Sequence, residues 1–353
     1  MYDIILAFIT AFTLTYFAIP SIIHVANEKR LMDEPGERRS HTVSTPSLGG
    51  IGIFAGMIFS IVLWTPFNIF GDLQYILCGF IIIFLIGVKD DILPMTPLNK
   101  LIGEILAAAI LVFKSNVKIT SFYGLFGIGD LPDIVAIPLS IFTILVIINA
   151  FNLIDGINGL SGSIGVLISV TLGAWFFSTF HYDLAVVAFS LAGALIAFLK
   201  YNYSPAKIFM GDTGSLLMGL VCSILAIKFI EFHRDLPLDS PFYMKSVPAV
   251  AIGVLILPLY DTARVFITRA LQGRSPFYPD RTHIHHLLID MGLTHMQGTY
   301  VLVFVNFLFI VMVFSLRSIG TLPLLLLTIG LATVLSAWLY YAVKRKKAKN
   351  GTS

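Results

Sequence analysis

Apolar runs of bilayer-spanning length, broken by short polar stretches, govern what this chain can become. They fall near residues 2–23, 48–66, 73–88, 99–113, 133–151, 159–179, 183–199, 213–230, 248–267, 298–316 and 322–343. One crossing takes about 20 apolar residues as a helix, and inside lipid every backbone polar group must be bonded internally. The spacing therefore predicts an all-α, polytopic integral membrane protein of about eleven transmembrane helices. Hydrophobic residues make up 57% of the chain and charged residues 12%, where a soluble domain is about a quarter charged. That balance excludes a soluble enzyme, a secreted disulfide scaffold and a disordered chain. The first run lacks a basic leader and a small-residue cleavage site, and reads as a retained helix. Cys78 and Cys222 both fall inside apolar runs, where they read as packing residues.

The expectation is one membrane-embedded domain over residues 1–353. Its long cytoplasmic loops are 24–47 and 268–297, with a basic cytoplasmic tail at 344–353. The distribution of Lys and Arg sets the orientation. With the N-terminus outside, the outer segments hold only Lys114, Lys118, Lys228, Arg234, Lys245 and Arg317 of the 23 Lys and Arg residues. The C-terminus is then cytoplasmic. Most of the polar chemistry falls on the inner side too, and the runs are nearly free of charge at their centres. A pore or carrier would place ionisable groups within its helices, so a binding or catalytic face at the cytoplasmic surface is the better inference.

Four elements on that face carry chemistry. Asp90-Asp91 end the third run, as a solvated helix end or as paired acids whose repulsion raises one pKa. Asn149-Ala-Phe-Asn152-Leu-Ile-Asp155-Gly156-Ile-Asn158-Gly159 places Asn149, Asn152 and Asp155 toward one helix face, more polar groups than capping alone explains. Gly211-Asp212-Thr213-Gly214-Ser215 opens the eighth run. There Asp212 can cap the helix, or hold Mg²⁺ on a phosphate that sits against open N–H groups. It is not a P-loop, since the Lys is missing. Arg281-Thr-His283-Ile-His285-His286 lacks the cysteines of a usual zinc set. An arginine among imidazoles suits a diphosphate better.

In this order the four elements resemble the polyprenyl-phosphate N-acetylhexosamine-1-phosphate transferase superfamily, of glycosyltransferase family 4 type. The resemblance runs from about Thr42 to Gln297 and includes Thr45-Pro-Ser-Leu-Gly-Gly50 and Pro258-Leu-Tyr-Asp261-Thr262. With Arg264 and Gly273-Arg-Ser-Pro-Phe277 upstream, the histidine motif looks like the bacterial undecaprenyl-phosphate branch that uses UDP-N-acetylglucosamine. The peptidoglycan branch usually carries three consecutive histidines at this loop.

The resemblance implies roles, residue by residue. Asp212 matches the Mg²⁺-binding aspartate, with Asn152 as a second ligand and Mn²⁺ as a substitute ion. Asp90 matches the acid that deprotonates or positions the lipid phosphate, with Asp91 in support and Asp155 nearby. Leu153, Asn158 and Asn202 fall where uracil is held, Asn158 replacing an aspartate of the peptidoglycan branch. Arg264, Arg281, His283, His285 and His286 fall near the diphosphate and sugar, and Asn149 adds a polar contact. Asn202-Tyr-Ser204 spells a glycosylation sequon, discarded because it faces the cytoplasm.

The implied reaction moves N-acetylglucosamine 1-phosphate from the UDP-sugar to undecaprenyl phosphate, releases UMP, and starts a cell-surface glycan such as lipopolysaccharide or teichoic acid. Direct attack and a phospho-aspartate intermediate both stay open. The implied setting is the bacterial inner membrane. The implied partners are the UDP-N-acetylhexosamine donor, undecaprenyl phosphate, the bilayer and a second copy of the chain as a homodimer, with no nucleic acid. A muramoyl-pentapeptide donor, or another UDP-N-acetylhexosamine, is the alternative within the enzyme class. A transporter with a polar inner vestibule is the alternative outside it.

Overall fold

The computed structural model describes residues 2–31, 45–66, 71–275 and 282–350. Arg38-Arg-Ser-His41 and Arg281 lie outside the described residues. All eleven apolar runs form helix. In order the helices are α1 (Tyr2–Lys29), α2 (Gly49–Trp64), α3 (Leu73–Ile92), α4 (Pro97–Lys114), α5 (Asp133–Ile154), α6 (Leu160–Ser178), α7 (Tyr182–Asn202) and α8 (Gly211–Phe232). There follow α9 (Val247–Val254), α10 (Ile256–Leu271), α11 (Ile284–Asp290), α12 (His295–Ser315) and α13 (Thr321–Asn350). The described residues form no strand; one antiparallel bridge, Ser121 with Asp130, closes the Gly-turned hairpin between α4 and α5.

Seven helices are long and apolar enough to cross a membrane, or eight if α9 and α10 count as one bent span. This is a polytopic helical membrane protein. By length and composition the described helices support seven or eight crossings, against the eleven expected from run spacing. α2 has 16 residues, about 24 Å of helix. α4 carries Lys100, Glu104 and Lys114 within its span.

The bundle is organised around α8, where every residue from Thr213 to Ile230 is buried. Polar groups collect at its two ends. At one end Lys228 donates to Ser115 O at 2.7 Å, Arg234 pairs with Asp130 at 3.0 Å and Lys118 with Asp133 at 2.6 Å. Arg317 donates to Pro241 O at 3.1 Å there as well. The cations assigned to the outer side thus assemble on one end of the bundle. The carboxylates and amides of the motifs gather at the other.

The ninth run is broken. Pro258 cannot donate, and its ring displaces the carbonyl four residues back, that of Val254. α9 and α10 meet there at 83°. Buried Asn306 of α12 satisfies both sides of the break, donating to Val254 O at 3.3 Å and accepting from Leu257 N at 3.2 Å. In lipid such a break persists only when neighbouring side chains re-bond the freed groups. The bend carries α10 and its Asp261 and Arg264 to the histidine helix α11.

Three segments read as loop or tail contain helix, the loop 268–297 holding α11. α1 continues past Ile23 to Lys29, and α13 through the basic tail to Asn350. The tail packs on α11: Lys347 pairs with Asp290 at 2.6 Å and Lys346 donates to Met291 O at 2.8 Å. Ala, Lys and Arg are good helix formers, so nothing in the tail ends the helix at the apolar boundary.

Candidate active site

α3 and α8 touch where glycine allows it. A Cβ on Gly87 would lie 2.4 Å from Thr213 Cα, so α3 packs flush on the first turn of α8 and delivers Asp90 and Asp91 to it. Gly211 begins that turn with φ +69°, and a Cβ there would lie 2.1 Å from Ser47 O. Only glycine fits both constraints. The segment before α2 is tied to the same turn, Gly49 N donating to Phe209 O and Gly50 N to Met210 O, each at 2.9 Å.

Asp91 is a cap supplied from another helix. Its Oδ1 accepts from Asp212 N at 2.7 Å, and its Oδ2 accepts from Thr213 N at 3.0 Å and from Thr213 Oγ1 at 2.5 Å. A carboxylate at a helix N-terminus satisfies orphan donors and meets the positive end of the helix dipole. This corrects two expectations: Asp212 does not cap α8, and the N–H groups of Asp212 and Thr213 are not open to phosphate.

With Asp91 in that role, the side chain of Asp212 turns toward the helix ends around it. Its Oδ1 accepts from Asn152 Nδ2 at 2.9 Å, and its Oδ2 pairs with the Lys100 ammonium. Lys100 also reaches Asp90 Oδ2 at 3.3 Å, while Asp90 Oδ1 accepts from Met95 N at 2.6 Å. Two acids from different helices thus share one cation, which offsets their repulsion. Asn152 also donates to Ser215 Oγ at 3.0 Å. It presents nitrogen to Asp212, which orients the carboxylate. As a metal ligand it would have to present oxygen.

Beside these groups lies a cavity of about 680 Å³, lined by Asp90, Asp91, Asn152, Asp155, Asn158, Asn202 and Asp212 together with Arg30, His286 and His295. Asp155 accepts from Ser161 Oγ, and burial pushes its carboxyl up to about 6. Asn158 Nδ2 donates to Ser204 Oγ at 2.9 Å. Asn202 is buried, with Oδ1 accepting from Gly159 N at 2.7 Å and Nδ2 donating to Ile208 O at 2.9 Å. Both ends of its amide pin loops that border the cavity. Its burial is also a second reason to discard the sequon.

Other expected residues stand behind the wall. Asn149 donates to Glu104 Oε2 at 2.6 Å, and Glu104 is buried two turns into α4, an exception among runs read as nearly free of charge at their centres. Half-buried Leu153, Arg264, His283 and His285 are also absent from the described cavity lining. His285 is 2% exposed, and burial pushes its imidazole down to about 3, leaving it neutral at physiological pH. It therefore offers no cation to a diphosphate, and among the described residues of the motif His286 lines the cavity.

Sequence reasoning missed Lys100, Glu104, Arg30 and His295. Lys100 and Arg30 fall among the inner-side cations, to which the sequence assigns no chemistry. A lysine one turn inside an apolar run is seldom buried unless paired, and that signal pointed toward an acid partner.

The described residues hold no group of three or more His, Cys, Asp or Glu suited to a metal ion. A hard divalent ion such as Mg²⁺ does not need one, since it commonly binds through one or two carboxylates together with substrate phosphates. Asp212 already holds a cation, the Lys100 ammonium, and its carboxylate oxygens suit Mg²⁺ or Mn²⁺ as well.

Comparison with known proteins bears on the same residues. A family model described as glycosyl transferase family 4 matches residues 73–230, from the first turn of α3 to the end of α8. The chain is 30% identical over 320 residues to the probable undecaprenyl-phosphate N-acetylglucosaminyl 1-phosphate transferase of Bacillus subtilis, covering 90% of this chain and 86% of that one. It is 29% identical over 318 residues to the decaprenyl-phosphate N-acetylglucosaminephosphotransferase of Mycobacterium tuberculosis, covering 83% and 77%. To the undecaprenyl-phosphate alpha-N-acetylglucosaminyl 1-phosphate transferase of Haemophilus influenzae it is 29% identical over 315 residues, covering 87% and 84%.

Proposed function

The chain belongs to glycosyl transferase family 4, and from that membership we infer that it transfers N-acetylglucosamine 1-phosphate to polyprenyl phosphate. The observation that carries the reading is near-full-length similarity to a transferase of that name, joined to the Asp90–Lys100–Asp212 cluster in a polar cavity. The donor is taken as UDP-N-acetylglucosamine and the acceptor as undecaprenyl phosphate.

An oxygen of the lipid phosphate attacks the phosphorus that bears the sugar. A new P–O bond forms, the bond between the donor's two phosphates breaks, and UMP leaves with the electron pair. Both reactants are anions, so the barrier falls when positive charge sits where negative charge builds up. Lys100 supplies such charge between the two acids, and Arg30, His286 and His295 offer further donors in the wall. Asp90, on the same lysine, positions the acceptor phosphate. A divalent cation held by Asp212 would neutralise the donor's diphosphate. Asn152 keeps Asp212 aimed, and Asp91 keeps the first turn of α8 in place. The lipid tail stays in the bilayer while its head reaches the polar end.

The donor assignment is tested with a panel of UDP-sugars and undecaprenyl phosphate on the purified protein in detergent. UDP-N-acetylglucosamine is expected to give lipid-linked product at least about tenfold faster than other donors, since a site built to hydrogen-bond a substrate group rejects analogues that lack it. Product from the muramoyl-pentapeptide donor alone would overturn the assignment.

The cavity is assigned to the cytoplasmic side, supported by the small share of Lys and Arg at the opposite end. With Cys78 removed, a cysteine at position 349 is expected to resist an impermeant thiol reagent in intact cells, and one at position 240 to react. The reverse pattern would invert the protein.

A further inference from the structure

Asp261 of α10 takes no part in the chemistry above, yet it is buried, at 2% exposure. Its carboxylate ties α10 to the histidine segment. Its Oδ2 meets His283 Nδ1 at 2.8 Å, and its Oδ1 accepts from Ile284 N at 3.0 Å and from Arg264 at 2.9 Å. Arg264 in turn donates to Thr282 O. One carboxylate therefore holds His283 and Ile284 directly, and Thr282 through Arg264, at the entry to α11.

The rings beyond form a stack. His283 and His285 lie nearly parallel with centroids 5.7 Å apart, and His285 and His286 are 4.2 Å apart. His285 is pressed onto the loop after α5, where a Cβ on Gly156 would lie 2.1 Å from its Nε2. That nitrogen makes no hydrogen bond among the described residues, so shape, not bonding, seats the ring. At the end of the stack His286 enters the cavity wall.

We propose that Asp261 is a positioning residue for phosphosugar transfer: by holding His283 and the first turn of α11 it sets His286 against the substrate cavity. The proposal rests on the transferase reading above. It gives the bend between α9 and α10 a purpose, since a straight helix through Pro258 would not bring Asp261 to this place.

Asp261→Asn keeps the volume but has a single acceptor oxygen, so His283 and Ile284 N–H can no longer both be held as they are. Activity is expected to fall about 30- to 100-fold in kcat/KM, the scale on which an ångström of misplacement acts. In a His286→Ala background the same change is expected to shift kcat/KM by less than about threefold, because residues that act through one another are not additive. Hydrogen exchange read by mass spectrometry should rise over residues 284–290 and stay unchanged over α8.

If Asp261→Asn does not fold, His283 carries the test. His283→Asn retains a donor near the Nδ1 position and should recover most of the activity that His283→Leu loses. An undiminished effect of Asp261→Asn beside His286→Ala, unchanged exchange over 284–290, or equal damage from His283→Asn and His283→Leu would each overturn the proposal. Failure of the unaltered protein to release UMP would instead strike the transferase reading, and the exchange result would still decide whether Asp261 holds α11.

Discussion

Asp212→Asn is expected to lower turnover about 100- to 1,000-fold, the range seen when one preorganised electrostatic group is lost from an active site. The substitution nearly keeps the shape, and Asn152 keeps a partner. What it removes is the negative charge shared with Lys100 and the hard oxygen anion that Mg²⁺ prefers. Both losses act on the diphosphate, so donor binding measured by calorimetry should weaken along with turnover. EDTA should produce a similar loss in the unaltered protein, reversed by Mg²⁺, and excess Mg²⁺ should recover a little of the Asp212→Asn activity. Retention of more than about a tenth of the turnover would remove Asp212 from the chemistry.

The adjacent acids Asp90 and Asp91 are expected to fail in different ways. Asp91→Asn strips the charge from a carboxylate that accepts two backbone N–H groups and a hydroxyl at the start of α8. Hydrogen bonds to a charged group contribute about 1.5–3 kcal/mol each. The amide can still accept at one oxygen, so the loss should be roughly 3 kcal/mol. It should appear as a lower unfolding midpoint in detergent, with activity falling because the turn that carries Asp212 loosens. Asp90→Asn leaves that turn intact, should unfold close to the parent, and should lower kcat with a smaller effect on donor binding. If both variants unfold alike while Asp90→Asn also abolishes donor binding, the two acids form one cluster and the division of roles is wrong.

Run spacing foretold where helices form, because the bilayer demands length and apolarity from each span. It did not foretell how the ninth run is used. Pro258 marked the break, but its repair by Asn306 depends on a residue in another helix. The motifs also brought Asp90, Asn152, Asp155 and Asp212 to one cavity, as their shared placement at run ends implied. Roles within the cluster were harder to read. Asp91 and Asp90 are neighbours in sequence, and only the packing of Gly87 on Thr213 aims one at a helix terminus and the other at Lys100. The division of roles within the histidine motif was hidden in the same way. Three histidines in four residues look equivalent on paper. On a short helix pressed against Gly156, one pairs with Asp261, one is buried and neutral, and one faces the cavity.

The identity of the nucleotide product tests phosphosugar transfer most directly. Purified protein in detergent, given UDP-N-acetylglucosamine labelled in the sugar and undecaprenyl phosphate, should release one UMP for each labelled lipid formed. Release should depend on the acceptor and be lost with Asp212→Asn. Release of UDP in place of UMP would mean that the sugar moves without its phosphate, and would contradict the reaction assigned to this site.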